Sequence, residues 1–260
     1  DGIFELKAPR SNTYQLIFSK ADFYPSVQTF SHYELSNDAF EPQNLTSVTL
    51  VDKKANRTML AFGGDVMMGR RYLAPYFGDE VLIHPKSVKA DSKEVVKHIK
   101  PYMSLADFAA VNLETQLASE KPKKRAPKSV TFFTQPEVLD SLSWAGIDYV
   151  SLGNNHTYDY LDEGLTSTLE SLEKSSLAYS GAGHTEETAL EAHREVINGT
   201  AFSMLGYVGW TGNSKPKQTA NESQGGAAFG NMNNIYNTIE RERKAKHIPI
   251  IQYHGSQEYA

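Results

Sequence analysis

Between residues 58 and 254 the chain repeats one pattern four times: a short apolar run that stops abruptly at a polar cluster. Residues 58–62 stop at Gly63-Gly64-Asp65, residues 108–111 at Asn112-Leu113-Glu114, the run from Tyr149 at Gly153-Asn154-Asn155-His156, and residues 248–253 at His254. Apolar runs of this length, bounded by glycine and polar residues, read as buried strands. Between them lie stretches with apolar residues three and four apart, which predict helices. These are residues 91–106, broken by Pro101; residues 135–145, with Pro136 in the first turn and Gly146 just past the end; and residues 163–174, with Leu165, Leu169 and Leu172 on one face. Residues 231–246 predict another, with a basic last turn that complements the helix dipole. Residues 185–188 read as a further helix start, and residues 130–133 and 201–208 as further strands. This alternation predicts an α/β fold with the four polar clusters on one sheet edge, where open α/β sheets place their ligands.

Two stretches break the pattern. Residues 1–57 show β-formers clustered at 14–18 and 47–51 between Asn, Ser and Pro, with no helical period. They predict a β-rich N-terminal extension before a domain at 58–260, in which His32 and Tyr33 are packing or surface residues. Residues 211–230 are polar and Gly-rich, a long loop able to act as a lid.

Composition removes several function classes. A net charge of −5 over 260 residues, with 22% charged, marks neither a disordered chain nor a nucleic-acid binder. There is no cysteine, so disulfides and thiolate metal sites are excluded. No run reaches the ~18 apolar residues that span a bilayer. The chain opens at Asp1 without an initiator Met, which is the expectation for a product whose targeting segment has been removed.

The polar clusters supply the candidate chemistry. Asp65, Glu114, Asn154, Asn155, His156 and His254 offer carboxylates, amide oxygens and imidazoles, a set suited to Mn, Fe or Zn. The competing reading is four ordinary strand ends that carry polar residues. Asp159, three residues beyond His156, adds a carboxylate. The central loop leads into a helix, whose first N–H groups could hold an anion. Arg70 and Arg71, just beyond Asp65, read either as a bidentate clamp for phosphate or carboxylate or as surface ion pairs. Lys121, Lys123, Lys124, Arg125 and Lys128 read as a solvated loop or as a rim that concentrates an anionic substrate.

In this order and at these separations, GGDVMMGRR, VNLET, SLGNNHTYDYLDEG and YHGSQEY resemble the motifs of the CapA-type capsule biosynthesis proteins, associated with poly-γ-glutamate and related to calcineurin-like metallophosphoesterases. The resemblance runs from about Thr58 to Tyr259. It implies a metallophosphoesterase-like α/β/β/α sandwich, incomplete at its C-terminal end. It further implies Asp65, Glu114, Asn155 and His254 as ligands of a divalent metal, His156 as the group facing the leaving oxygen, and Asn154, Asp159 and Glu258 as residues orienting them. The superfamily carries a histidine two residues after the first Asp, where this chain has Met67, so one ligand of a two-metal centre is absent. The family's aromatic after the last His is absent too, and its later Gly-His-x-x-His-type stretch lies outside the chain. A C-terminal segment or a second chain is therefore expected to complete the domain.

The activity implied is metal-dependent hydrolysis or transfer at a phosphoester or γ-glutamyl bond, on an anionic polymer or phosphoester substrate, alongside capsule synthesis machinery. The alternative is a non-catalytic component that binds the polymer for assembly or export. Either implies an extracytoplasmic place, with membrane association through a segment outside this chain.

Overall fold

The computed structural model describes residues 9, 11–32, 34 and 48–255. By its internal contacts the chain divides into two units, Asp1–Arg57 and Thr58–Ala260. In the first, β1 (Thr13–Phe18) and β2 (Ser26–Ser31) pair antiparallel from Thr13 opposite Ser31 to Phe18 opposite Ser26. The strand expected at 47–51 does not form over its described residues: pairing there is a single bridge between Phe23 and Asp52, with Asp52 also held by Arg57.

The second unit runs in chain order through β3 (Leu60–Val66), α1 (Val88–Val96), α2 (Lys100–Met103), β4 (Phe108–Leu113), β5 (Gln116–Leu117), β6 (Phe133–Thr134), α3 (Val138–Trp144), β7 (Tyr149–Ser151) and α4 (Leu161–Glu173). Then follow β8 (Ala178–Ser180), β9 (Ala182–Gly183), α5 (Glu186–Ala189), β10 (His193–Ile197), β11 (Thr200–Val208), β12 (Gly226–Ala227), α6 (Met232–Lys244) and β13 (Ile248–His254). One sheet is parallel, in the order β3-β4-β7-β8. The other orders β10-β11-β13, antiparallel at its first pair and parallel at its second. The mixed α/β fold with a parallel core is thus as the alternation predicts.

Period-two alternation assigns each strand face to its layer. On central β4, whose six residues are all buried, Val111 and Leu113 join Leu139, Leu142, Leu165 and Leu169 in a core under α1, α3 and α4. Phe108 and Ala110 point the other way, with Tyr149, and meet Phe202 and Met204 of β11 between the two sheets. Leu205 and Tyr207, on the far face of β11, pack with Ala189 and against Ile235 of α6.

Local chemistry sets the helix ends. The helix expected at 91–106 forms as two, because Pro101 takes the first turn of α2 and cannot continue α1. Thr185 and Thr188 cap α5 reciprocally, and the Asn231 side chain accepts the Asn234 N–H at the start of α6. The strand read at 130–133 forms only at Phe133–Thr134, the Phe132 N–H before it being given to the Asp159 carboxylate. At Gly153 an added Cβ would overlap the Tyr207 amide nitrogen and the Gly206 carbonyl carbon, so only glycine lets the loop after β7 rest on the β11 backbone.

Candidate metal centre

The carboxyl ends of β3, β4, β7 and β13 converge. Asp65 closes β3 just past a register irregularity beside Gly63 and Gly64, Glu114 follows β4, Asn154 to His156 follow β7, and His254 closes β13 of the other sheet. Asn112 joins them from the inter-sheet face of β4, donating from Nδ2 to Asp65 Oδ1 at 2.6 Å and standing 3.2 Å from His254 Nδ1. That same His254 nitrogen is 3.3 Å from Asp65 Oδ1. Its Nε2 lies 2.8 Å from Asn155 Oδ1 and 3.7 Å from Glu114 Oε1. Among the described residues Asp65, Glu114 and His254 each offer a ligand atom within 4.8 Å of the others, a possible metal-binding triad.

Its electrostatics follow from crowding. Burial, and then the neighbouring Asp65 charge, push the Glu114 carboxyl up to about 7. His254 is raised, chiefly by its hydrogen bond to Asp65, and Asp65 is lowered by the same bond.

His156 is held differently. Its Nδ1 is 2.7 Å from Asp159 Oδ2, and an ionised carboxylate can only accept, so Nδ1 carries the proton and Nε2 faces Glu114 Oε1 at 3.7 Å. Phe132 stacks on the imidazole with ring centres 3.8 Å apart and planes 20° from parallel. Burial outweighs the Asp159 bond and lowers the His156 pKa. Asp159 is fully buried; its Oδ2 also accepts the Phe132 N–H at 2.6 Å and its Oδ1 takes Lys128 Nζ at 2.7 Å. Asn154, also fully buried, donates to Asn112 Oδ1 and to the Leu113 carbonyl, and accepts the His156 N–H.

Five of the loop's amides are already engaged within the protein. His156 N bonds Asn154 Oδ1, Tyr158 N bonds Gln218 Oε1, Asp159 N bonds the His156 carbonyl, Tyr160 N bonds Gln116 Oε1 and Leu161 N bonds the Tyr158 carbonyl. Arg70 lines the open cleft over the cluster, a space of ≈1610 Å³ also bounded by Lys128, Trp210, Gln218 and Tyr253. Arg71 is not among the residues lining it; its guanidinium stands over the Tyr72 ring, 5.7 Å from its centre, as that of Arg70 stands 5.5 Å from the Tyr76 ring centre with Nε donating to Tyr76 Oη at 3.0 Å. Glu258 lies outside the described residues. Sequence reasoning gave Asn112, Gln116 and Phe132 no role at the site and read Lys128 only as one member of a basic run. Asn112 had a signal, lying two residues before Glu114 in a strand; the others make contacts that join distant segments.

Fold and site define a mixed α/β protein in which parallel strands deliver carboxylates and imidazoles to one candidate metal centre. The chain belongs to the family described as Bacterial capsule synthesis protein PGA_cap, whose profile matches residues 59–260. It is 24% identical over 216 residues to the Capsule biosynthesis protein CapA of Bacillus anthracis, covering 80% of this chain and 48% of that protein. It is likewise 24% identical over 200 residues to the PGA biosynthesis protein CapA of Bacillus subtilis (strain 168), covering 76% of this chain and 49% of that protein. The chain thus spans about half the length of these curated relatives. The family resemblance read from the four motifs is borne out.

Proposed function

We propose that the chain serves bacterial capsule synthesis as a metal-dependent hydrolase or transferase acting on an anionic substrate, a poly-γ-glutamate chain or a phosphoester, outside the cytoplasm. The observation that carries this reading is the gathering of Asp65, Glu114 and His254 beside a buried His156–Asp159 pair at the floor of an open cleft. The names of the curated relatives support the capsule role. The order helix, sheet, sheet, helix supports a metallophosphoesterase-like sandwich.

The donor set fits a divalent cation. Two carboxylates and an imidazole offer ligand atoms within 4.8 Å of one another, with the Asn155 amide oxygen 2.8 Å from His254 Nε2, a mixed oxygen and nitrogen set of the kind such ions take. When bound, such an ion polarises a substrate oxygen and acidifies water. Asn112 holds the Asp65 carboxylate in place. Asp159 fixes the His156 tautomer, so Nε2 faces the cleft and can hold or release a proton at a leaving oxygen. Arg70 offers its guanidinium to the substrate's negative charge.

Metal analysis together with phosphodiester and γ-glutamyl hydrolysis assays tests this. Asp65→Ala should lose metal and activity together, whereas His156→Ala should keep metal and lower kcat about 10²- to 10⁴-fold. Folded Asp65→Ala protein with wild-type metal content and turnover would refute the reading. A second reading, a non-catalytic polymer-binding component, is favoured by the exposed Lys121, Lys123, Lys124 and Arg125 leading into the cleft. Polymer binding undiminished by metal removal, with no hydrolysis in any metal, would select it.

A further inference from the structure

We infer that Lys128 is a positioning residue whose single ammonium fixes both Asn155 and His156 at the metal cluster. The inference rests on the metal-dependent reading above. Lys128 ends a basic run, but it is unlike the rest of that run: Lys121, Lys123, Lys124 and Arg125 are exposed, whereas its side chain is 18% exposed. Its Nζ donates to the backbone carbonyl of Asn155 at 2.8 Å and to Asp159 Oδ1 at 2.7 Å. The other Asp159 oxygen holds His156 Nδ1. One cation therefore fixes residue 155 by its main chain and residue 156 through a carboxylate, with Nζ itself 3.3 Å from His156 Nδ1.

The segment that carries Lys128 acts as a strap around this loop. Ala126 N donates to the Asp159 carbonyl, Phe132 N to the Asp159 carboxylate, and the Phe132 ring covers one face of the imidazole. Without Lys128, the strap would still touch Asp159 and His156, but these contacts leave the Asn155 carbonyl unheld. The Asn155 amide oxygen, 2.8 Å from His254 Nε2, would then lose its fixed direction. A compact ammonium suits two acceptors on different segments, whereas a planar guanidinium directs its donors in one plane. A lysine that has committed its donors in this way supports the cluster rather than clamping the substrate's charge.

The test uses Mn2+ as the calorimetric probe, with Lys128→Met, Lys128→Arg and the pair Lys128→Met/Asp159→Asn. The paired variant leaves no buried carboxylate without its cation, so it keeps the test decisive if Lys128→Met alone does not fold. In folded protein, Mn2+ affinity should fall at least about tenfold for Lys128→Met and for the pair, the usual cost of losing a residue that orients a ligand, and Lys128→Arg should not restore it. Substrate KM should stay within about twofold while kcat falls. Wild-type Mn2+ affinity in a folded variant would overturn the inference alone, as would a raised KM with kcat and metal affinity intact, the signature of a direct substrate clamp. Absence of metal binding by the wild-type protein would overturn the reading beneath it as well.

Discussion

Asp159→Asn tests the buried electrostatics of the site in one atom. Asp159 is fully buried and spends its two oxygens on three donors: Lys128 Nζ on Oδ1, and Phe132 N–H and His156 Nδ1–H on Oδ2. An amide has one accepting oxygen, so either placement turns its NH2 group onto a donor. If the oxygen faces Lys128, the Phe132 N–H loses its partner and His156 must move its proton to Nε2. If it faces Phe132 and His156, the NH2 meets an ammonium. One orphaned buried donor costs about 1–3 kcal/mol and one lost charge-assisted bond about 1.5–3 kcal/mol. Lys128 keeps some access to solvent, which lowers the sum, and we expect about 2–5 kcal/mol, or roughly 5–15 °C in melting temperature for a unit of this size. Urea denaturation gives the stability, and turnover normalised to folded protein gives the chemistry, where kcat should fall about 10²- to 10⁴-fold through the wrong tautomer. A variant within about 0.5 kcal/mol of wild type would show that Asp159 does not hold these three donors.

Other consequences are as direct. Gly153→Ala drives a Cβ into the β11 backbone, and should cost at least about 1–3 kcal/mol by urea denaturation; wild-type stability would show that the loop does not rest on that strand. Arg70→Ala should raise KM for an anionic substrate severalfold with metal content unchanged, while Arg71→Ala, facing Tyr72, should leave both as they were; steady-state kinetics on the two variants separate them. Glu114 is raised to about 7, so its contribution to metal-free stability is full below about 4.5 and is lost as pH rises through 7. His156 is lowered, so its contribution is present above about 6.5 and is lost as pH falls through its folded value. Thermal melts across this range should show the first loss in wild type, reversed by added Mn2+, and no such loss in Glu114→Gln.

The sequence made legible whatever one strand writes on its own. A buried strand needs apolar residues and its carboxyl end needs a polar stop, so Asp65, Glu114, Asn155, His156 and His254 stand out without knowledge of their neighbours. Strands β8 and β10 did not: Ala178–Ser180 is too short to show a period, and His193–Ile197, at a sheet edge, has three polar residues before two apolar ones and so shows neither an apolar run nor an alternation. Lys128 was hidden by its company, since four cations beside it are solvated and charge alone does not distinguish the one that turns inward. Gln116 looked like an ordinary polar residue after Glu114, yet its buried amide donates to the Thr157 carbonyl at 2.7 Å and accepts from Tyr160 N.

These residues share a physical character that bears on the loop's amides. A helix entry suggests free N–H groups, and the sequence after His156 looks like one. What decides is whether side chains from elsewhere reach those groups first. Here Gln116 and Gln218 do so from segments 44 and 60 residues from their partners, and Asn154 does so from within. The loop is thereby fixed in part by side-chain amides. Arg70 lines the cleft as a cation for negative charge there, and the loop's part is to aim Asn155 and His156 toward the candidate donors Asp65, Glu114 and His254.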